Sequence, residues 1–338
     1  MKAAILERPG RLRIVEQPEP RAGAGSVLVR IGLCGVCGTD LLIVDGRVKV
    51  ELPYRNLGHE YVGVVAEVGA GVRSAATGDR VVINPNYHCD ACPACRRGEP
   101  GFCENRRAFA TKSNGGFAQY ACVAEKHVHP VPAGLADEAA IFAEPLSCCL
   151  HAVERAGLQA GDDVLIFGCG TMGLLVLQLC RLLGAGRILV SEPVASRRSA
   201  AERFGADLAV DPASTDLAGA VLGLMPRGPR VVVETAGARG TLAEGVRLIA
   251  PRGRFLLIAS WEEAFETPVA PELLVSKEVS LVGSVFGHEA LSRSLELLAA
   301  GTVRTEGMLS AVHALDDLEL AVREACGREA IKVAVRTS

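Results

Sequence analysis

Four cysteines within 15 residues form the most specific chemical pattern in the sequence. Cys89, Cys92, Cys95 and Cys103 follow the spacing C-x2-C-x2-C-x7-C, on a segment rich in glycine and proline that can turn tightly. Four thiolates can close a tetrahedron around Zn²⁺ and leave no position open for chemistry. Two alternatives are a chance cluster of surface cysteines and a nucleic-acid-binding finger, but the segment lacks the basic helix of such a finger. The pattern therefore predicts a structural zinc site.

Two further short runs contain residue types that bind catalytic metals. One is CGTD at residues 37–40, and the other is GHE at residues 58–60. A catalytic zinc needs about three protein ligands and one open position for water or substrate. A single cysteine or histidine is usually an ordinary core residue, so each run alone is a weak signal. Together they nominate Cys37 and His59, with Asp40 as an outer partner that orients the histidine.

A glycine-rich turn follows the apolar run DVLIF and predicts a dinucleotide site. Glycines in such a turn permit a tight bend, close approach of a pyrophosphate and packing of the next helix on the strand. Glu192 follows at the spacing expected of a carboxylate that binds the ribose hydroxyls of NAD. Arg197 and Arg198 could receive a 2′-phosphate, so NAD is favoured and NADP stays an open alternative. The predicted turn residues are Gly168, Gly170, Thr171, Met172 and Gly173.

The elements that must position these residues change in character along the chain. About the first 130 residues show short alternating runs rich in valine and glycine, which predict a β-rich domain. From residue 161, short apolar runs alternate with helical stretches, which predicts an α/β doubly wound parallel sheet of six strands. The predicted strands are 164–167, 188–191, 208–211, 231–234, 255–259 and 279–285. We expect one domain from residues 1–148, with 288–338 packing back onto it, and a second from 149–287.

Bulk properties exclude several other classes of protein. The net charge of −3 gives no basis for binding nucleic acid or an anionic membrane. The N-terminus lacks the apolar core of a signal peptide. The apolar stretch at 164–190 is interrupted by glycines and arginines, which favours strand, turn and helix over a membrane span. Without a secretion signal, the 12 cysteines indicate metal ligands in a reducing cytoplasm rather than disulfides.

The motifs taken together resemble the zinc-dependent medium-chain alcohol dehydrogenases. The GHE run continues as G-H-E-x2-G-x5-G over residues 58–69, and GGFAQY follows at 115–120. The resemblance covers essentially the whole chain. It implies a GroES-like catalytic domain, a Rossmann cofactor domain and a cleft between them that holds zinc and nicotinamide. It also implies two zinc ions per chain and a homodimer or homotetramer.

The resemblance also implies roles for individual residues. Cys37 and His59 would bind the catalytic zinc. The run AEPLS at 143–147 resembles the sorbitol and polyol dehydrogenase branch, in which Glu144 would be the third ligand, directly or through its water. Glu60 of the GHE run is the alternative third ligand, and the hydroxyl of Thr39 would carry away the substrate proton. One departure is Leu42, which stands where many relatives have a histidine at the outer end of the proton relay.

The implied reaction is hydride transfer from a secondary alcohol of a polyol, sugar or cyclitol-like substrate to NAD(P). In this scheme Phe286 would line the nicotinamide region and Lys332 would reach the pyrophosphate. An amino-alcohol dehydrogenase resembling threonine dehydrogenase is the main competitor. A zinc-free quinone reductase of the same superfamily would lack both sets of zinc ligands, and the complete four-cysteine segment argues against it. A non-enzymatic nucleotide-binding or sensor protein on the same fold is the alternative of another class.

Overall fold

The computed structural model describes residues 1–108, 115–259, 266–287 and 290–338. The chain divides into two compact units. The first unit comprises Met1–Ser147 and His288–Ser338, and the second comprises Cys148–Gly287.

Seventeen strands and eleven helices are formed by the described residues. The strands are β1 Lys2–Arg8, β2 Arg11–Glu16, β3 Ser26–Gly35, β4 Glu60–Val68, β5 Arg80–Ile83, β6 Asn86–Tyr87, β7 Arg107–Ala108, β8 Tyr120–Ala124, β9 Val128–Pro130, β10 Val164–Phe167, β11 Ile188–Ser191, β12 Leu208–Val210, β13 Val231–Glu234, β14 Arg254–Leu257, β15 Ser280–Gly283, β16 Leu309–Ala314 and β17 Lys332–Arg336. The helices are α1 Gly38–Val44, α2 Pro93–Arg96, α3 Asp137–Ala140, α4 Ala143–Ala156, α5 Thr171–Leu182, α6 Ala195–Arg203, α7 Leu217–Leu224, α8 Thr241–Leu248, α9 Pro271–Ser276, α10 Leu291–Ala299 and α11 Leu318–Cys326.

The first unit is organised by a seven-stranded sheet. Its strands run in the order β16-β17-β3-β4-β5-β9, and β8 also pairs with β3. The central strand β3 reads SVLVRIGLCG and is mostly buried, as expected of a strand rich in β-branched and aliphatic residues. The late strand β17 pairs antiparallel with β3 and places Ala334 opposite Gly35. Residues far apart in sequence therefore meet at one end of β3.

The second unit confirms the predicted six-stranded parallel sheet. Its order is β12-β11-β10-β13-β14-β15, and every neighbouring pair is parallel. Strand β10 is fully buried, because helices cover both faces of a parallel sheet. The chain order reverses between β10 and β13, and ligands of such sheets bind beyond the carboxyl ends of strands at this point. The glycine turn begins directly after β10.

No described helix has the length and apolar character that spanning a bilayer requires.

Candidate active site

Cys37 and His59 are brought together by the pairing of two strands. Strand β3 ends at Gly35, two residues before Cys37, and β4 begins at Glu60, one residue after His59. In the antiparallel register Gly35 lies opposite Glu60. Residues just beyond these two strand ends are consequently neighbours, although the sequence separates them by about twenty positions.

Asp40 ties the two ligand segments together. Its side chain is completely buried in the first turn of α1. One carboxylate oxygen accepts a hydrogen bond from the Cys37 amide at 3.1 Å, and the other accepts one from the Gly58 amide at 2.9 Å. The Nδ1 atom of His59 lies 3.6 Å from Asp40 Oδ1. Asp40 therefore fixes both segments and faces the imidazole, as the outer partner of a metal-binding histidine does.

The environment of His59 attracts positive charge. Burial lowers the pKa of this imidazole, but the charges of Cys37 and Asp40 outweigh burial and raise the pKa well above its usual value. The same charges act on Tyr54. Burial and the charge of Asp40 raise the pKa of its phenol to about 12, although the charge of His59 lowers it. The site is thus a buried, electronegative position with an imidazole at its centre.

Three donor atoms converge at this position. Cys37, His59 and Glu60 each offer one ligand atom, and these atoms lie within 4.8 Å of one another. A sulfur, a nitrogen and a carboxylate oxygen are the donor types that zinc takes in catalytic sites. The residues present therefore fit the implied metal. Among the described residues, Glu144 is outside this donor group, so the structure brings together the alternative third ligand, Glu60, rather than the preferred one.

Lys332 forms an ion pair that the sequence did not indicate. Its ammonium is 2.5 Å from Glu60 Oε2 and donates a hydrogen bond to the Val36 carbonyl at 3.2 Å. The side chain is 4 % exposed. In the first unit Lys332 is therefore the partner of a buried carboxylate, a contact that the sequence did not indicate. A buried ammonium needs such a partner, since isolated burial of a charge is very costly.

Thr39 and Glu144 lie near this position without entering the donor group. Thr39 is partly exposed in the first turn of α1, two residues after Cys37. Glu144 is partly buried in the first turn of α4, and its negative charge acts on Lys332. Helix α1, with seven residues, is one element that sequence reasoning missed, and α11 is another. The signal for α1 was Asp40 three residues after Cys37, which caps the helix start.

The four-cysteine segment gathers its sulfurs as predicted for a structural metal. The ligand atoms of Cys89, Cys92, Cys95 and Cys103 lie within 4.8 Å of one another. Two backbone amides already point at sulfur: Cys89 N donates to Cys103 Sγ at 3.4 Å and Cys92 N to Cys89 Sγ at 3.3 Å. Hydrogen bonds from Ala91, Asn105 and Cys92 lower the pKa of Cys89 to about 6. Such donors stabilise thiolates, the form that binds zinc. None of the twelve cysteines, all of which lie in the described part of the chain, forms a disulfide.

The glycine turn of the second unit has two glycines that the protein itself requires. Gly168 has φ +88°, and a Cβ there would lie 2.9 Å from Ala236. A Cβ on Gly173 would overlap the Gly168 carbonyl oxygen. At Gly170, by contrast, the nearest atom to a Cβ would be an Arg197 nitrogen at 3.8 Å. No packing of the described residues demands a glycine at 170, which fits a position kept open for a phosphate group.

The start of α5 is also arranged for an anion. The helix begins at Thr171, and its N-cap Gly170 provides no side-chain cap. The first amides of an α-helix have no carbonyl partner within the helix, and amides in this position can bind phosphate oxygens. Met172 turns toward α4, where Cys149 Sγ lies 3.8 Å from its sulfur. Phe286 has φ +60°, a left-handed conformation that is costly for a bulky residue and clusters at ligand sites.

Glu192 accepts hydrogen bonds from backbone amides of the glycine turn and of the segment before α6. It is 3 % exposed. One carboxylate oxygen accepts the Cys169 amide at 2.7 Å, and the other accepts the Val194 amide at 3.0 Å. Arg198 donates to the Glu192 carbonyl at 2.8 Å. A carboxylate has about four acceptor positions, so ribose hydroxyls could still be bound.

Comparison with known proteins agrees with this architecture. Residues 23–133 match the alcohol dehydrogenase GroES-like domain, and residues 171–300 match the zinc-binding dehydrogenase domain. D-arabinitol dehydrogenase 1 of Uromyces fabae is 31% identical over 340 residues, covering 99% of this chain and 97% of the relative. L-threonine 3-dehydrogenase of Pyrococcus horikoshii is 35% identical over 266 residues, covering 76% and 75%.

Solved structures are similar over almost their whole length. A putative zinc-binding dehydrogenase of Sinorhizobium meliloti 1021 bound to NADP has a TM-score of 0.94 at 33% identity, covering 99% of both chains. An alcohol dehydrogenase of Escherichia coli CFT073 complexed with NADH has a TM-score of 0.92 at 28% identity, covering 100% of this chain and 99% of the other. The predicted family and fold class are thereby confirmed: the chain belongs to the zinc-dependent medium-chain alcohol dehydrogenases and is an oxidoreductase of that family.

Proposed function

We propose that this protein oxidises a secondary hydroxyl of a polyol, sugar or cyclitol-like substrate and transfers the hydride to a nicotinamide dinucleotide. The observation that carries the proposal is the convergence of Cys37, His59 and Glu60 within 4.8 Å. A non-enzymatic protein on this fold has no need of such a donor set. Relatives named for arabinitol and sorbitol support the polyol class.

The residues of the first unit would have three roles at the site: metal binding, orientation of the imidazole and proton transfer. Cys37 and His59 would hold a zinc ion, with a carboxylate from Glu60 or Glu144 as third ligand. A zinc bound there supplies Lewis-acid polarisation of the substrate hydroxyl. Asp40 keeps the imidazole oriented. The hydroxyl of Thr39 receives the substrate proton. Leu42 has no group that can relay it, so the proton would leave through water beside Glu144 or through water near the cofactor ribose.

The second unit would hold the cofactor. Gly170 and the start of α5 would hold the pyrophosphate, and Glu192 would bind the adenosine ribose. We infer NAD as the cofactor, since the Glu192 carboxylate repels a 2′-phosphate. NADP is the alternative, because the guanidinium of Arg197 lies beside the turn and a similar structure carries NADP.

We further propose two zinc ions per chain, one at Cys37 and His59 and one at the four-cysteine segment. The free thiols fit a reducing compartment such as the cytoplasm. We also propose a homodimer or homotetramer. Strand β15 ends the second-unit sheet and leaves Leu281 42% exposed, and an open apolar edge of this kind favours pairing with another chain.

A substrate panel tests the proposed reaction. Polyols, cyclitols, sugars and threonine would be compared by formation of reduced nicotinamide, with native, chelated and zinc-restored protein. Zinc-dependent oxidation of a polyol or sugar is expected. Preferred oxidation of threonine would replace the polyol assignment with the amino-alcohol one, for which the Pyrococcus relative is the specific argument. Binding of zinc and NAD without turnover of any alcohol would contradict the proposed reaction.

Matched cysteine variants test the assignment of the site. Cys37→Ser should lose the catalytic zinc and the activity. Cys122→Ala, a buried cysteine of the same unit outside both donor groups, should keep both. Equal metal content in the two variants would argue against Cys37 as a ligand.

A further inference from the structure

The carboxylate of Glu60 has two possible cation partners. Its ligand atom lies within 4.8 Å of those of Cys37 and His59, so it can reach a metal held by them. Its Oε2 atom also lies 2.5 Å from the ammonium of Lys332. The position of the Glu60 carboxylate therefore depends on whether it binds the metal or the Lys332 ammonium.

The ion pair with Lys332 is sheltered from water. The Lys332 and Glu60 side chains are 4% and 2% exposed. A buried pair that loses one partner leaves an uncompensated charge, which is strongly destabilising. Glu60 can leave Lys332 only if another anion compensates the ammonium. The charges of Cys37 and Glu144 also act on Lys332. Glu144 is the candidate, because Cys37 is itself one of the three donors.

Gly35 provides the space in which the pair forms. In the register of β3 and β4 it lies opposite Glu60, and in that of β3 and β17 it lies opposite Ala334. A Cβ at residue 35 would overlap Glu60 Oε2 and would lie 3.4 Å from Lys332 Cδ. Its backbone φ is not in the left-handed region, so conformation does not require a glycine there. The missing side chain is needed for the carboxylate.

We propose that Gly35 and Lys332 together position the Glu60 carboxylate beside the metal and make its ligation conditional on opening of the ion pair. Lys332 is then a positioning residue that acts through Glu60. While the Lys332–Glu60 ion pair is intact, Glu60 does not bind the metal, and Glu144 is the third ligand. The inference rests on the proposed catalytic metal site, but not on the identity of the substrate.

A double-mutant cycle on metal binding tests this role. Zinc affinity would be measured by chelator competition, and cobalt(II) absorption would report the ligand set. The spectrum of a Cys37→Ala variant is subtracted to remove cobalt bound by the four-cysteine segment. Lys332→Met should tighten zinc at the catalytic site by about tenfold, the scale of outer-shell effects on zinc affinity, and should change the cobalt spectrum.

The decisive comparison is the same substitution in a Glu60→Gln background. If Lys332 acts through Glu60, Lys332→Met should there change neither zinc affinity nor the cobalt spectrum. If it acts only as a nearby positive charge, it should tighten zinc equally in both backgrounds, and that result would overturn the proposal. The double variant also contains no unpaired charge at these two positions, so it keeps the test informative if Lys332→Met alone does not fold.

Gly35→Ala displaces the carboxylate without changing any charge. It should alter the cobalt spectrum in the same direction as Lys332→Met. The control is Gly32→Ala on the same strand, where a Cβ would lie 3.6 Å from its nearest neighbour, an ordinary contact. A native spectrum for Gly35→Ala would contradict the proposal. None of these readouts needs turnover, so failure to oxidise a polyol would count against the proposed function alone.

Discussion

The carboxylate of Asp40 accepts a hydrogen bond of 2.9 Å from the backbone amide of Gly58, 18 positions further along the chain. The same side chain also holds the Cys37 amide. One buried residue thus holds together the two segments that carry Cys37 and His59, the proposed metal ligands. Its contribution is positional, since the proposed metal donors are the neighbouring residues Cys37 and His59.

Asp40→Asn should weaken the catalytic metal site. An asparagine offers one acceptor oxygen, so one of the two buried amides loses its partner. Zinc affinity at this site should fall by roughly 10- to 100-fold, while the four-cysteine site stays filled. Zinc per chain after mild chelation would be the measurement, with Asp45→Asn at the exposed end of α1 as control. Retention of both zincs at native affinity would contradict the role.

Glu192→Gln should weaken NAD binding. Glutamine can accept only one of the two amides that the carboxylate now accepts, so the glycine turn loses a brace. An unsatisfied buried donor costs about 1–3 kcal/mol, which corresponds to roughly a tenfold weaker Kd or more. Cofactor fluorescence titration would measure it, against Glu202→Gln on the exposed face of α6. An unchanged NAD affinity would exclude the bracing role.

Arg197→Ala should separate the two cofactors. Its guanidinium lies beside Gly170, so its loss should weaken NADP more than NAD if it meets the 2′-phosphate. The ratio of the two dissociation constants is the quantity to compare. Equal weakening of both would place Arg197 at the pyrophosphate instead.

His127 should make stability depend on pH in the acidic range. It is fully buried; burial, followed by the charges of Lys126 and His88, lowers its pKa from 6.5 to about 4. Between these values the unfolded chain binds a proton that the folded chain does not. Stability is therefore complete above pH 6.5 and falls as the pH drops toward 4, by on the order of 3 kcal/mol at most.

The contribution of His127 can be isolated by substitution. Urea unfolding between pH 7 and pH 4 should show a shallower loss of stability in His127→Phe than in the native protein. His313→Gln, which removes a partly exposed histidine of the same unit, should keep the native slope. Identical slopes for the native protein and His127→Phe would show that this imidazole does not contribute.

Loss of the four-cysteine site should affect stability rather than chemistry. Cys103→Ser removes one of four ligands, so zinc per chain should fall from two to one and the melting temperature should drop. Cofactor binding by the second unit should be unchanged. Metal analysis and calorimetry would check this, and loss of cofactor binding would contradict a purely structural role.

The second-unit sheet was predictable because parallel strands buried on both faces read as continuous apolar runs. The runs at 164–167, 188–191 and 231–234 coincide with β10, β11 and β13. The last predicted strand was too long: β15 covers only Ser280–Gly283, since residues 284 and 285 belong to the connection that follows. Apolar residues continue past the strand, so hydrophobicity alone could not mark its end.

The sequence predicted which residue types could bind a metal at the candidate site. It did not predict which of these side chains contact one another. The two short runs and the family resemblance indicated Cys37 and His59, but they could not decide between Glu60 and Glu144. Nor could they pair Lys332 with Glu60, because a lysine at a strand start usually faces water. That contact follows from the register of β17 on β3, which depends on packing across the whole unit.

The pairing of Glu60 with Lys332 also has a consequence for synthesis. A ribosome must add 272 residues after Glu60 before its cation partner is made. At about 5–20 residues per second, that interval is roughly 15–55 seconds. The second unit, a continuous segment, is fully translated within it. Until β17 is translated, the Glu60 carboxylate therefore lacks the cation partner that it has in the folded first unit.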